Sequence, residues 1–150
     1  DGQMSQGFEV DFIFYPSENL QVIGGYANID SEEVLPEGTV NFDSRIPGVP
    51  EHQVTLWGKY TFLEGVLEGL EIGFGGTYLG ERRGGQTNRD AFTLDSYVKV
   101  DALLSYGFEY SGTQYKAALR FDNLLDETYF TPGPFIADPF NVTFSLSATF

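Results

Sequence analysis

The chain has 150 residues, no cysteine and a net charge of −14, with 8 basic side chains against 22 acidic ones. That balance argues against a nucleic-acid partner, whose phosphates require a basic surface, and against docking on anionic lipid through a basic patch. No run approaches the uninterrupted apolar length of a transmembrane helix, but the mean hydropathy of −0.18 leaves room for membrane strands, which dilute each apolar residue with a polar neighbour.

No signal-peptide pattern opens the chain, so an exported protein is expected as a mature chain or a fragment. Gly7 to Tyr15 alternates, with Phe8, Val10, Phe12 and Phe14 opposite Glu9, Asp11 and Tyr15, and the turn residues Pro16-Ser17-Glu18-Asn19 end it. Leu20 to Asp30 returns with Leu20, Val22 and Tyr26 on one face, while Ile23 and Ile29 interrupt the other. From Ser31 to Pro50 the periodicity is lost in a long, acidic, Pro-containing link. Strand character resumes at Gln53, with Val54, Leu56, Tyr60 and Phe62 against Thr55, Trp57, Lys59 and Thr61.

After a short link from Leu63 to Gly69, Leu70 to Gly80 aligns Leu70, Ile72, Phe74 and Tyr78, with Gly73, Gly75 and Gly76 between them. Those glycines are expected to let the strand bend or another backbone approach closely. Glu81 to Thr93 reads as a second long loop. Tyr97 to Tyr110 then alternates strictly, and Ser111-Gly112 turns it into a strand carrying Tyr115, Ala117, Leu119 and Phe121. A third long link runs from Asp126 to about Pro139.

Phe140 to Phe150 closes the chain with the cleanest pattern of all. Every even residue from Phe140 through Phe144 to Phe150 is apolar, and every odd one is Asn, Ser or Thr. The links between these strands, about seven in number, alternate short and long, so hairpin connection puts all short links at one rim and all long ones at the other. Aromatic residues collect beside the short turns, as at a membrane interface: Phe14, Tyr60, Phe62, Phe108, Tyr110, Tyr115 and Phe150. The face opposite the apolar one carries Glu9, Asp11, Lys59, Glu71, Lys99, Asp101, Lys116, Arg120 and Asp122. Such charges suit a wet lumen and would be costly in a dry core. The fold expected is all-β: an antiparallel up-and-down transmembrane β-barrel segment over residues 1–150. The alternative weighed against it is a small or soluble β-barrel holding an apolar ligand inside, for which the two faces exchange roles; an outer-membrane hydrolase ranks third.

Several blocks resemble the C-terminal end of the barrel in TonB-dependent receptors, especially ferric-siderophore receptors. Ile46-Pro47-Gly48-Val49-Pro50-Glu51-His52 with Leu56-Trp57 and Tyr60 resembles the family's P-x-V-P-x-H…L-W…Y entry into a strand. Tyr78-Leu79-Gly80-Glu81-Arg82 resembles its Y-V-G-E-R strand end, and Leu94-Asp95-Ser96-Tyr97 with Val100-Asp101-Ala102 its L-P-G-Y-x-x-V-D-A. Asp122-Asn123-Leu124-Leu125-Asp126-Glu127-Thr128-Tyr129-Phe130 is similar to x-N-L-F-D-x-x-Y-Y, and Phe150 to the family's terminal aromatic. The resemblance implies a bacterial outer-membrane location, lipid contact, a ferric siderophore as cargo, and energy supplied by the TonB complex through an N-terminal plug region that has no counterpart in these residues. It also implies a barrel of about 22 strands, of which this chain would supply the last seven or so, too few to close a pore alone.

The same resemblance directs the choice of site. Arg82, Arg83 and Arg89 on the long-link rim are candidates for charge-assisted hydrogen bonds to an anionic chelate, and Phe130 and Phe135 for aromatic contact. The plainer alternatives are arginines paired with nearby acids such as Glu81 and Asp90, and phenylalanines packed within their own loop. Phe140, Phe144 and Phe150 are candidates for the signal that the barrel-assembly machinery reads by strand addition. No catalytic set stands out, so no enzymatic role and no cofactor are expected, and His52, the only histidine, lacks a second nitrogen or sulfur ligand nearby for a metal. Gly73-x-Gly75 has no following helix and is no dinucleotide fingerprint. Asn123 and Asp126 are expected to cap a strand end, and Asn141-Val142-Thr143 lies within a strand, not on a glycosylated loop.

Overall fold

A computed structural model describes residues 2–40, 43–85, 87–130 and 135–150. Seven antiparallel strands form one sheet in chain order: β1 (Gly2–Phe14), β2 (Leu20–Val34), β3 (His52–Thr61), β4 (Leu70–Leu79), β7 (Tyr97–Tyr110), β8 (Thr113–Asp122) and β9 (Asn141–Thr149). A separate two-stranded ribbon, β5 (Arg82–Gly84) and β6 (Phe92–Leu94), lies within the link from β4 to β7. The up-and-down order and the sorting of short and long links are those the alternation predicts. The turn between β7 and β8 is as tight as a hairpin permits: Ser111 and Gly112 have φ of 53° and 78°, both left-handed as a two-residue primed turn requires.

Register makes the two faces continuous. On one, Val10 pairs with Tyr26, Tyr26 with Val54, Val54 with Tyr78, and Tyr78 with Val98. Nearer the short links a second row runs Leu20, Tyr60, Ile72, Leu104, Leu119, Phe144. Nothing covers these rows: Phe144 and Leu146 are 64% and 60% exposed, and Leu94 is the single buried apolar core residue among those described. A globule in water cannot stand on one buried apolar side chain, whereas in lipid the same face is solvated. The calyx alternative requires these side chains in a sealed interior. Here most of them are exposed and none is buried.

The opposite face is wet and knitted by charge. Glu71 sits at its centre, accepting from Ser105 Oγ at 2.8 Å and Lys116 Nζ at 2.6 Å, with Lys59 Nζ at 3.3 Å. One carboxylate so ties β3, β4, β7 and β8 together. Lys99 pairs with Asp101 at 2.9 Å and Arg120 with Asp122 at 2.9 Å. Aromatic pairs mark the short-link rim, Tyr60–Phe62 with centroids 4.9 Å apart and Phe108–Tyr115 at 5.3 Å, as an interfacial girdle does.

Three local features differ from the sequence expectation. β1 and β2 extend beyond Gly7 and Asp30, because Gly2 to Gln6 pairs in register with Asp30 to Val34. Apart from Met4 and Val34 the residues there are polar or Gly, so no periodicity marks it. Residues 81–93, expected as a loop, contain the β5–β6 ribbon, whose three-residue strands are too short to show a period. The glycines of β4 include two, Gly73 and Gly75, that make room for Trp57, a role the sequence pattern does not show. A Cβ on Gly73 would lie 2.5 Å from Trp57 Cζ2, and one on Gly75 would lie 2.6 Å from Trp57 Cε3 and 2.3 Å from the Leu56 carbonyl oxygen. Both alanine substitutions should lower stability by about 1–3 kcal/mol. Trimming the indole, Trp57→Gly, should relieve Gly73→Ala but not Gly75→Ala, whose obstacle is backbone. Equal coupling of the two pairs in a double-mutant cycle on unfolding midpoints would contradict this.

Candidate functional site

The long-link rim is built outward from β2. The link after β2 folds back along its upper end: Glu33 N–H donates to Ser44 O at 2.7 Å, Ile46 N–H to Ser31 O at 3.3 Å, and Glu32 forms a bridge with Arg45. Arg45 grips Asp43 through Nε at 3.0 Å and Nη2 at 2.6 Å, and this hydrogen-bonded guanidinium holds the Asp43 carboxyl below the ordinary carboxylate range.

The ribbon docks on that layer. Gly48 N–H donates to Arg83 O at 2.8 Å, and Arg83 Nη1 donates to Glu33 Oε2 at 2.8 Å and to Arg45 O at 2.6 Å. Arg83 is fully buried, and its Nε and Nη2 have no hydrogen-bond partner among the described residues. On the other side, Arg82 is 2% exposed, donates from Nη2 to Phe130 O, and lies 5.2 Å above the Tyr97 ring. Tyr97 stacks on Tyr129 at 4.0 Å. The ribbon thus joins the link before it to the link after β8.

That last link is held by Asn123. Its left-handed φ of 55° turns the chain off β8, its Oδ1 accepts from Glu127 N–H at 2.9 Å, and its Nδ2 donates to Glu127 O at 2.9 Å and Asp138 O at 3.2 Å. Asp126 Oδ1 accepts from Phe140 N–H at 2.9 Å. Between the start of β7 and this link opens a cavity of about 550 Å³, walled by Phe92, Leu94, Asp95, Tyr97, Glu127, Tyr129 and Phe130 among others. Its size suits part of a small-molecule ligand.

The candidates named from sequence disperse accordingly. Arg82 and Arg83 are not on a solvated loop: both guanidinium groups are buried, because the ribbon packs them against Glu33, Tyr97 and the last link. Arg89 is exposed in a 3-10 turn, Asn88–Asp90, whose Asp90 accepts from Thr87 Oγ1 at 2.6 Å. Phe130 walls the cavity and bridges to Ile136; Phe135 is 70% exposed and outside the lining. Phe144 is on the apolar face of β9, with Phe140 and Phe150 flanking the strand. His52 sits at the upper end of β3 with Nδ1 3.0 Å from Tyr26 Oη and 3.2 Å from Asn28 Nδ2. Residue types alone did not single out Glu33, Asp95, Glu127 or the Tyr97–Tyr129 pair. The signal was there: the motif block 94–97 and the second half of the block 122–130 line most of the cavity.

Comparison with known proteins places these residues in context. The model of the family "TonB dependent receptor-like, beta-barrel" matches residues 1–124. The metal-pseudopaline receptor CntO of Pseudomonas aeruginosa is 34% identical over 97% of this chain, and the ferrichrome outer membrane transporter/phage receptor of Escherichia coli is 34% identical over 83%. The chain spans 21% and 16% of the length of these relatives. Among solved structures, the P. aeruginosa ferripyoverdine receptor FpvA superimposes with a TM-score of 0.75 at 23% identity, over 96% of this chain and 19% of FpvA. The ferric preacinetobactin receptor BauA of Acinetobacter baumannii reaches 0.78 at 16% identity, over 97% and 22%. Both share the fold.

Proposed function

Because the chain belongs to the β-barrel family of TonB-dependent receptors, we propose that it forms part of the wall of an outer-membrane transporter that takes up ferric siderophores. The observation that carries this reading is the division of its faces: an uninterrupted apolar face that lipid must solvate, against a charged face suited to a hydrated passage. Cargo binding falls to the long-link rim. Phe130 contributes as a cavity wall, and Arg89 and Phe135 as exposed rim contacts. Arg82 and Arg83 serve by holding the rim in shape. The chemistry is uptake without bond-making, driven through TonB and a plug region. Cells whose iron supply depends on the receptor containing this chain should accumulate labelled iron from a ferric siderophore, and lose that uptake when TonB is absent. Uptake that persists without TonB would count against the reading.

β9 also carries a proposed assembly role. Phe144 lies on the apolar side of an alternating edge strand flanked by Phe140 and Phe150, which the barrel-assembly machinery would read by strand addition. Deleting Phe150, fully exposed and in contact with nothing that fixes the fold, should slow membrane insertion severalfold while leaving the inserted barrel equally stable. Insertion at the wild-type rate would remove the signal reading.

A further inference from the structure

Taking the siderophore reading as given, the rim chemistry narrows the class of cargo. The exposed acids of the long links include Glu37, Glu51, Glu81, Asp90, Asp95, Asp126, Glu127 and Asp138. Against them the described cations are mostly withdrawn: Arg45 is engaged by Asp43, Arg82 and Arg83 are buried, and Arg89 remains exposed. Within the cavity the contrast is sharper. Asp95 and Glu127 both line it, both are exposed, and neither has an ion-pair partner among the described residues. Arg82 lies over the Tyr97 ring and is 2% exposed, with Nη2 donating to Phe130 O and Nη1 buried. Lys99, also near Tyr97, is paired with Asp101 at 2.9 Å, so both offset part of the field without being free cations.

The remaining wall is aromatic: Phe92, Phe130 and Tyr129, with Tyr97 itself stacked on Tyr129 and covered by Arg82. Aromatic faces beside unpaired carboxylates are the surroundings an organic ammonium group prefers, through ring quadrupole and charge together. The same surroundings repel a carboxylate or sulfonate tail. We propose that the cavity between the start of β7 and the last long link receives a positively charged arm of the cargo, an alkylammonium group borne by the ferric chelate, with Asp95 and Glu127 as its counter-ions.

The test uses the complete receptor containing this chain, in detergent, with three ferric trihydroxamates that differ only at one terminus: a free ammonium, its N-acetylated neutral form and its N-succinylated anionic form. The ammonium form should bind about tenfold more tightly than the neutral one and the anionic form more weakly still, an order that contracts as salt rises. In the double variant Asp95→Asn, Glu127→Gln the three affinities should converge to within about twofold. Binding of all three with no charge order, or an order that survives the double variant, overturns this inference while leaving the transport reading intact. Failure of all three to bind overturns the inference and, for trihydroxamates, the transport reading with it.

Discussion

Replacing Glu33 by Ala is expected to loosen the whole long-link rim while leaving the membrane strands intact. Arg83 is entirely shielded from solvent, and Glu33 Oε2 at 2.8 Å is the carboxylate it hydrogen-bonds, with the charge of Asp43 also nearby. Truncation strands a buried guanidinium, which typically costs about 3–5 kcal/mol. The lower end applies here, because the Glu33 side chain is itself 23% accessible and water can enter from that side. The ribbon would then leave the link after β2, releasing the bond from Gly48 N–H to Arg83 O. Amide exchange at Gly48 and Ile46 should quicken on the order of 100-fold, while amides of β4 and β7 keep their protection. Glu33→Gln retains an acceptor but not the charge and should fall between. If Glu33→Ala exchanges like the wild type at both amides, the ion pair does not hold the rim.

Asn123→Ala should have a comparable effect on the opposite side. The side chain is 1% exposed and serves Glu127 N–H, Glu127 O and Asp138 O. Each buried group left without a partner costs about 1–3 kcal/mol, and these costs are not additive. A further 1 kcal/mol or so comes from forcing Ala into the left-handed region that Asn tolerates. Tyr129, six residues on, would lose its fixed position against Tyr97, and the cavity its second wall. Asn123→Gly separates the two contributions, since Gly accepts the backbone angle but restores none of the bonds. Both variants should expose the last link to limited proteolysis, Ala slightly more than Gly, with cargo affinity falling by at least tenfold. A Gly variant as resistant as the wild type would show that the backbone angle alone matters.

The parts of this molecule that could be read from its residues are those where one constraint acts on every second position. A strand buried in lipid on one side and wetted on the other cannot slip by one residue without inverting both faces, so β7 and β9 are legible from period alone. The upper ends of β1 and β2 lie where polar residues and Gly outnumber the apolar Met4 and Val34, and the pairing of Gly2 with Val34 leaves no alternation in hydropathy. Arg82 and Arg83 announce a charge but not its partner. That partner lies 50 positions away for Glu33 and 48 for Phe130, and only pairing across the sheet brings them near. Gly73 and Gly75 likewise look like flexibility until Trp57, on the neighbouring strand, is seen to fill the space a side chain would take.

The ribbon of β5 and β6 has a consequence for divergence. Arg83 fastens it to the preceding link and Arg82 to the following one. Three surface segments so bolted cannot be exchanged singly between related receptors. A graft of residues 31–51 that omits the acid at position 33, or of a last link whose backbone does not bring the carbonyl of residue 130 to Arg82, would import a mismatched seat. Novelty at this surface should therefore arise in linked sets, with acid, ribbon and terminal link inherited as one cassette.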